Sequence, residues 1–475
     1  MSRFNNFKNS RTLSAAAVRD AVFAHASMAT RTAGSEPSVR QTQPAAAPSI
    51  APASNIMQKG CFIVLCAFLL SAYANEFAFR LFHDKAYIST VALVLLPLAL
   101  LSTRAMFRGI SLPLGKWLLA FGAWLAICAP FSVWRGGTAI ELANYCFRCF
   151  ILYFVICACV ITVRQLKMLM FVQCAGAALV VLSCIVFGTT EEGRFSVFGS
   201  GFSFLSNANE LALQLLLGTV TLVFLFVRGG IFAKVVAIGL IILSCRYMLE
   251  TGSRGIFLAT GATVLIMFWL SRNKVAILAL ALPLLALTFV SLPAHTRSRL
   301  TDISISSEDS PVFTGEDLAA RGSQIQRQRL FRDSLLLTLT HPIFGVGPGE
   351  FMVAASGSHE KKGERADWRG THNSYTQVSS EAGIPGFIFY IAVIVVSLRM
   401  NYRLYKSTGK RAGMEDYAAL SYCMFLSIVV YAIATFFFHV AYSIYLPTLA
   451  GTTAAIYLAA KPVLQESLQG ESNNF

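Results

Sequence analysis

HNSYTQVSSEAGIPGFIFYIAVIVVSLR, residues 372–399, joins two kinds of chain. Its first third carries a histidine, hydroxyls and amides. From Gly383 to Leu398 it holds no charge at all. An apolar run of about 18 residues or more can cross a hydrocarbon core roughly 30 Å thick. Backbone groups find no water to bond in lipid, so such a run must be a helix. The imidazole of His372 therefore stands where a polar loop meets a membrane span. A group that titrates near neutral pH at such a boundary is the first candidate for proton transfer.

The pattern repeats outward from this stretch. Of the 475 residues, 55% are hydrophobic and 13% charged, against roughly 25% charged in soluble domains. Apolar runs predict twelve spans, at about 58–76, 86–103, 112–132, 141–162, 166–188, 209–227, 231–248, 254–271, 274–292, 383–400, 417–438 and 443–460. The expected fold is an all-α polytopic membrane protein with one large loop, 293–382, between spans nine and ten. Residues 1–55 are rich in Ala, Ser, Thr and Arg with Pro-Ala clusters. That composition cannot bury a core, so a disordered tail is expected there. Residues 56–292 then hold spans one to nine, 383–460 hold spans ten to twelve, and 461–475 form a second tail.

The net charge of +15 invites a nucleic-acid reading. It is rejected, because the basic residues lie in short loops between apolar runs and form no patch with interleaved aromatics. Arg104, Arg108, Lys116, Arg164, Lys167, Arg228, Lys234, Arg272, Lys274, Arg399, Arg403, Lys406, Lys410 and Arg411 mark one side of the membrane. The positive-inside rule makes that side, and both termini, cytosolic. The large loop is then outside. The eleven cysteines avoid that loop, so no disulfide framework is expected. Cys146 and Cys149 form a CxxC inside an apolar helix, where small-residue packing explains them better than zinc or redox chemistry.

Within the loop, Ser304–Asp317 is rich in Ser and acids and reads as flexible. Residues 323–339 read as an amphipathic helix, stopped by His341-Pro342. Gly345-Val346-Gly347-Pro348-Gly349 is a tight turn. Successive amides in such a turn can bind an anion, but a turn that only redirects the chain is the better reading. In a helix beginning near Asn373, Thr376 and Ser379 would lie on the side of His372. His372 as a general base competes with His372 as a cap or carbonyl partner.

Arginines are the second group of candidates. Arg254 follows Thr251-Gly252-Ser253 and opens a span on the outer side, and Arg148 lies within another span. Ionisable groups at membrane depth are functional candidates, with helix-to-helix pairing the alternative. The loop helix adds Arg321, Arg327, Arg329 and Arg332. Arg321 and Arg332 share a face of an unbroken helix and Arg327 does not, although Gly322 is a possible break. Arginine binds phosphate through a planar, permanently charged fork. Arginines outside the membrane but close to it point to a lipid-linked phosphate or diphosphate. They would also hold His372 neutral and available as a base. Walker A, Rossmann, HExxH and DxD patterns are absent, and Asp302 and Asp309 form no defensible carboxylate pair. No cofactor and no metal is expected.

Five elements in order complete the sequence reading. They are Gly199-Ser200-Gly201-Phe202; Asn207-Ala208-Asn209-Glu210-Leu211-Ala212; Thr251-Gly252-Ser253-Arg254-Gly255; Arg327 with Phe331, leading to His341-Pro342-Ile343-Phe344-Gly345-Val346-Gly347; and His372-Asn373-Ser374-Tyr375 with Glu381, Gly383 and Gly386. Together, over about residues 199–390, they resemble the O-antigen ligase and polymerase family of membrane glycosyltransferases. The resemblance implies a GT-C-like helical fold in a Gram-negative inner membrane, with the large loop periplasmic. It implies a glycan donor on undecaprenyl diphosphate and, for the ligase, lipid A–core of lipopolysaccharide as acceptor. His372 would deprotonate the acceptor hydroxyl. Arg254, Arg327 and Arg321, with Arg148 as a further candidate, would hold the diphosphate, and Asn373, Tyr375 and Asn207 would support them. The reaction would be metal-independent and inverting. Twelve spans and the position of the loop favour the ligase. A polymerase is second and a protein O-oligosaccharyltransferase third. A lipid-linked glycan transporter is the alternative of another class, though no internal repeat supports it.

Overall fold

The computed structural model describes residues 56–73, 105–191, 194–197, 207–271, 315–361 and 368–473, with a few isolated positions between. The tail at 1–55, the span expected at 86–103, most of that at 274–292, Gly199–Phe202 and residues 304–314 of the Ser304–Asp317 stretch lie outside the described residues, while Gly315–Asp317 of that stretch are helical rather than flexible.

The described chain is almost wholly helical. Helix α1 covers Ile56–Tyr73. Helix α2, Pro113–Cys128, starts on a proline whose missing N–H would be unbonded there anyway. It continues as a 3₁₀ turn, Ala129–Phe131. Helices α3 (Arg135–Tyr145) and α4 (Ile151–Cys159) are joined by a π-turn, Cys146–Phe150. The span expected at 141–162 is therefore one helical run, Arg135–Cys159, widened at 146–150 by the π-turn. Helix α5, Val163–Phe187, opens with a capping box: Gln165 N–H donates to Thr162 Oγ1 at 3.2 Å, and Thr162 N–H donates to Gln165 Oε1 at 3.1 Å. A short antiparallel hairpin follows, β1 (Gly188–Glu191) and β2 (Arg194–Val197). Then come α6 (Ala208–Arg228), α7 (Ile231–Glu250) and α8 (Arg254–Leu270). The loop contributes α9 (Gly315–Thr340) and α10 (Phe351–Lys361). The chain ends in α11 (Ser374–Thr408), α12 (Glu415–Ala434) and α13 (Tyr445–Asn473).

Six of these stretches are long and apolar enough to cross a membrane: Pro113–Phe131, Val163–Phe187, Ala208–Arg228, Ile231–Glu250, Ser374–Thr408 and Glu415–Ala434. The architecture is that of a polytopic membrane protein. All eleven cysteines are unbridged.

Polar contacts fix the two ends of the bundle. At one end Asp416 accepts from Lys167 at 3.0 Å and from Arg228 Nε at 2.6 Å, tying the ends of α5, α6 and α12 together. At the other end β2 meets the start of α6 and the turn before α8, and the N–H of Ser374 donates to Thr435 O at 2.8 Å. Between them lies an aromatic core in which Phe121 packs on Tyr390 and Tyr145 on Tyr442, with centroids 5.8 and 5.7 Å apart.

Candidate functional site

Helix α11 positions the histidine. Asn373 is its N-cap, and its Oδ1 accepts from the N–H groups of Tyr375 and Thr376 at 2.9 and 3.1 Å. Such a cap stabilises a helix by about 1 kcal/mol. Thr371 braces the same turn, its hydroxyl donating to Asn373 O at 2.9 Å. Between the two, His372 has φ of 51°, the sole positive φ on a non-glycine among the described residues. A left-handed conformation costs a residue with a Cβ roughly 1–2 kcal/mol. Such strain persists where its surroundings enforce it and often marks a functional position. His372 precedes the helix, so it does not share a helical face with Thr376 and Ser379. Ser379 bonds instead to Thr338 of α9 at 2.8 Å.

The 435–444 segment backs the histidine. The His439 ring lies edge-on to that of His372, centroids 5.1 Å apart. A Cβ at Gly370 would lie 2.8 Å from the His439 ring, so the 370–372 turn rests directly on it. Burial pushes the His439 imidazole below its ordinary value. Two residues earlier, Phe437 occupies the space where a Cβ of Gly255 would sit. One segment thus touches both the turn of His372 and the residue after Arg254.

Arg254 is the first residue of α8 and is exposed. Arg327, on α9, is half-buried. Burial pushes the Arg327 guanidinium below its usual range, and the charge of Arg254 pushes it further down. Arg254 and Arg327 are therefore electrostatic neighbours. Among the described residues no carboxylate pairs with either. Two neighbouring cations with no acid paired to them among the described residues are a candidate site for a multiply charged anion.

The turn at Gly345–Gly349 packs against α11 at Ser380 and Glu381. Gly345, Gly347 and Gly349 all have positive φ, 67°, 108° and 84°. Its amides face protein, not an external anion: the Glu381 carboxylate accepts from Gly349 and Phe351 N–H at 3.1 and 3.3 Å. Val346 and Gly347 N–H donate to Ser380 O and Glu381 O, each at 2.9 Å. This locks the loop to α11 where Gly383, φ 71°, kinks it.

The other expected residues have clear places. Asn207 caps α6, accepting from Asn209 N–H at 2.9 Å. Tyr375 donates to Ala432 O at 2.5 Å and stacks on Phe436, fixing α11 to α12. Arg321 lies in α9 and Arg148 in the π-turn; their side chains are outside the described part of the structure. Arg329 takes a separate role, bonding His359 Nδ1 at 2.9 Å, while His359 Nε2 bonds Asp333 at 2.9 Å. Arginine can only donate, so Nδ1 accepts and Nε2 carries the proton to Asp333. Among the described residues no group of three His, Cys, Asp or Glu is arranged to hold a metal ion.

Two residues were not singled out from the sequence. Arg194 donates from Nε to Thr251 O at 3.0 Å and from Nη2 to Asn209 Oδ1 at 2.6 Å. It joins the hairpin to the turn that presents Arg254. Its signal was an arginine in a short polar stretch between two spans. His439 is the other, a lone histidine behind three phenylalanines in an apolar stretch.

The fold is that of a polytopic membrane protein that carries Arg254, Arg327 and His372 at one end of its helices. Residues 240–391, about a third of the chain, match the family model described as O-antigen ligase, and this supports membership of the O-antigen ligase family. That family is one of glycosyltransferase-like membrane enzymes acting on lipid-linked glycans. The match contains Arg254, Arg321, Arg327, His372, Asn373 and Tyr375. Arg148, Arg194, Asn207 and His439 lie outside it. No curated protein matches the chain.

Proposed function

We propose that this chain is an O-antigen ligase that moves a glycan from undecaprenyl diphosphate to a sugar hydroxyl of lipid A–core. The observation that carries the reading is the Arg254–Arg327 pair, two neighbouring guanidinium groups at the same end of the bundle as the strained His372. A diphosphate leaving group meets both needs: it neutralises the pair, and its departing charge is stabilised where donors already stand. His372 takes the proton of the acceptor hydroxyl as that oxygen attacks the anomeric carbon. The bond to the diphosphate breaks, the anomeric centre inverts, and the diphosphate carries the electron pair away. Binding both lipid substrates beside one another supplies proximity. Arg321 and Arg148 are further candidate diphosphate ligands, and Asn373, Tyr375 and Asn207 are supporting residues. The site faces the periplasm from the inner membrane, both termini are cytosolic, and transfer proceeds in EDTA.

A lipopolysaccharide gel of a deletion strain tests the reading. Lipid-linked long chains accumulating beside bare core support the ligase. Core capped with single repeat units means a polymerase instead. Normal lipopolysaccharide refutes both.

A further inference from the structure

Helix α9 is anchored on its inner side. Leu330 and Ser334 are buried, Leu330 packs with Phe351 and Ala355 of α10, and Thr338 bonds Ser379 of α11 at 2.8 Å. The opposite side is exposed. Phe331, Leu335, Leu336 and Leu339 are all open, Leu339 at 75%. At 3.6 residues per turn they fall within an arc of about 140°. Gln328 and Arg332 share that arc, both exposed and nearer the helix N-terminus. Ile325, 66% exposed, lies at the N-terminal end of the same arc, so the strip is mixed as far as Arg332 and purely apolar only beyond it, from Leu335 to Leu339.

The apolar end does not stop at the helix. Ile343, 56% exposed, continues it. Pro342 O accepts from Ile384 N–H at 2.8 Å, which sets this turn against α11. Ile384 and Ile388 are exposed there, four residues apart on one face of a span. Phe344 stacks on Phe131 with centroids 3.9 Å apart. Phe131 is the last residue of another span and is itself 58% exposed. The strip on α9 therefore runs into the outward faces of two membrane-crossing helices.

We propose that the C-terminal half of α9, from Leu335 through Ile343, is a membrane-interface segment whose exposed strip lies against lipid. Lipid covers the spans at Ile384, Ile388 and Phe131, and the strip is continuous with that surface. The order of residues fits the boundary: the leucines enter the acyl region and Arg332 reaches the headgroups. Arg327 lies outside this strip, on another side of the helix, and within reach of the charge of Arg254. The helix would thus fix the cationic pair at the level where a lipid-borne phosphate emerges. The placement does not depend on the glycosyl-transfer reading.

The test uses the full chain in nanodiscs of phosphatidylethanolamine and phosphatidylglycerol. A photoreactive benzoyl-phenylalanine replaces Leu336 or Leu339, both exposed enough to accept it, with Ile388 as the lipid-facing reference and Gln326, on the bonded side of the helix, as the contrast. The expected result is phospholipid adducts at Leu336 and Leu339 in yield comparable to Ile388, with Gln326 far lower. Phospholipid adducts at Ile388 but at neither leucine overturn the proposal. So do crosslinks from the leucines to another part of the chain or to a second copy.

Discussion

Removing one of the two neighbouring arginines should separate stability from function. Arg254 and Arg327 repel, because the charge of Arg254 adds to the burial that already disfavours the Arg327 cation. Each guanidinium can place two charge-assisted bonds on a diphosphate, each worth about 1.5–3 kcal/mol. Arg327→Ala therefore removes about 3–6 kcal/mol of transition-state binding, on the order of 10²- to 10⁴-fold in kcat/KM. The free protein responds in the opposite direction. Loss of one like charge relieves repulsion on the order of 1 kcal/mol at a partly exposed site, so the thermal midpoint should hold or rise. Arg254→Ala should do the same, and the two losses should be non-additive because both act on one anion. Lysine should rescue only in part, since it cannot make the fork. The assay is glycan transfer by purified protein, paired with thermal unfolding of the same samples. A lowered midpoint with unchanged kcat/KM would mean a structural pair, and full activity with lysine at both positions would remove the clamp.

Three further outcomes follow from named contacts. Arg194→Ala deletes the bonds to Thr251 O and Asn209 Oδ1; stability should fall by about 1–3 kcal/mol and KM for the donor should rise more than kcat falls. An unchanged KM would detach Arg194 from the site. Gly383→Ala forces a side chain into φ 71°, ψ −175° and against the Ile343 carbonyl; about 2–5 kcal/mol of destabilisation is expected, read by thermal unfolding, and a neutral effect would mean that the kink is not required. For His439, burial lowers the folded-state value below 6.5. The unfolded chain then binds the proton first as pH falls. Stability from this group is intact above about 6.5 and declines below it until the lowered folded value is passed. His439→Phe should flatten that acid slope in thermal unfolding between about pH 7.5 and 5, and an unaltered slope would refute the assignment.

Some of this was legible because lipid leaves the chain little choice. The runs at 112–132, 166–188, 209–227 and 231–248 coincide closely with Pro113–Phe131, Val163–Phe187, Ala208–Arg228 and Ile231–Glu250. Charge-free stretches of that length have one solution in a bilayer. Irregularities and helix starts were less visible. The 141–162 run carries a π-turn within a continuous helix, and α11 begins nine residues before its expected span, because Asn373 supplies a cap that hydropathy does not register. Gly322 does not break α9, which runs unbroken from Gly315. The hairpin at 188–197 was missed, its strands being only four residues each and the first, Gly188–Glu191, having no alternating pattern. At the site, Arg254 and Arg327 could be selected by residue type, but their proximity joins positions 73 apart in sequence and needs the fold. The same holds for His439 beside His372. The left-handed backbone of His372 was not read from the sequence: histidine is among the non-glycine residues that adopt it more often, but the residue type alone does not fix the conformation.

The most direct test is the base itself. His372→Ala should leave the Arg254–Arg327 pair, and hence binding of the undecaprenyl-diphosphate donor, within a few-fold of the parent protein. Turnover with lipid A–core as acceptor should fall by about 10²- to 10⁴-fold, the usual contribution of a positioned general base. Single-turnover transfer by the purified variant in nanodiscs reads both quantities. A rate within about twofold of the parent, far below the loss expected of a general base, would contradict the account at its centre.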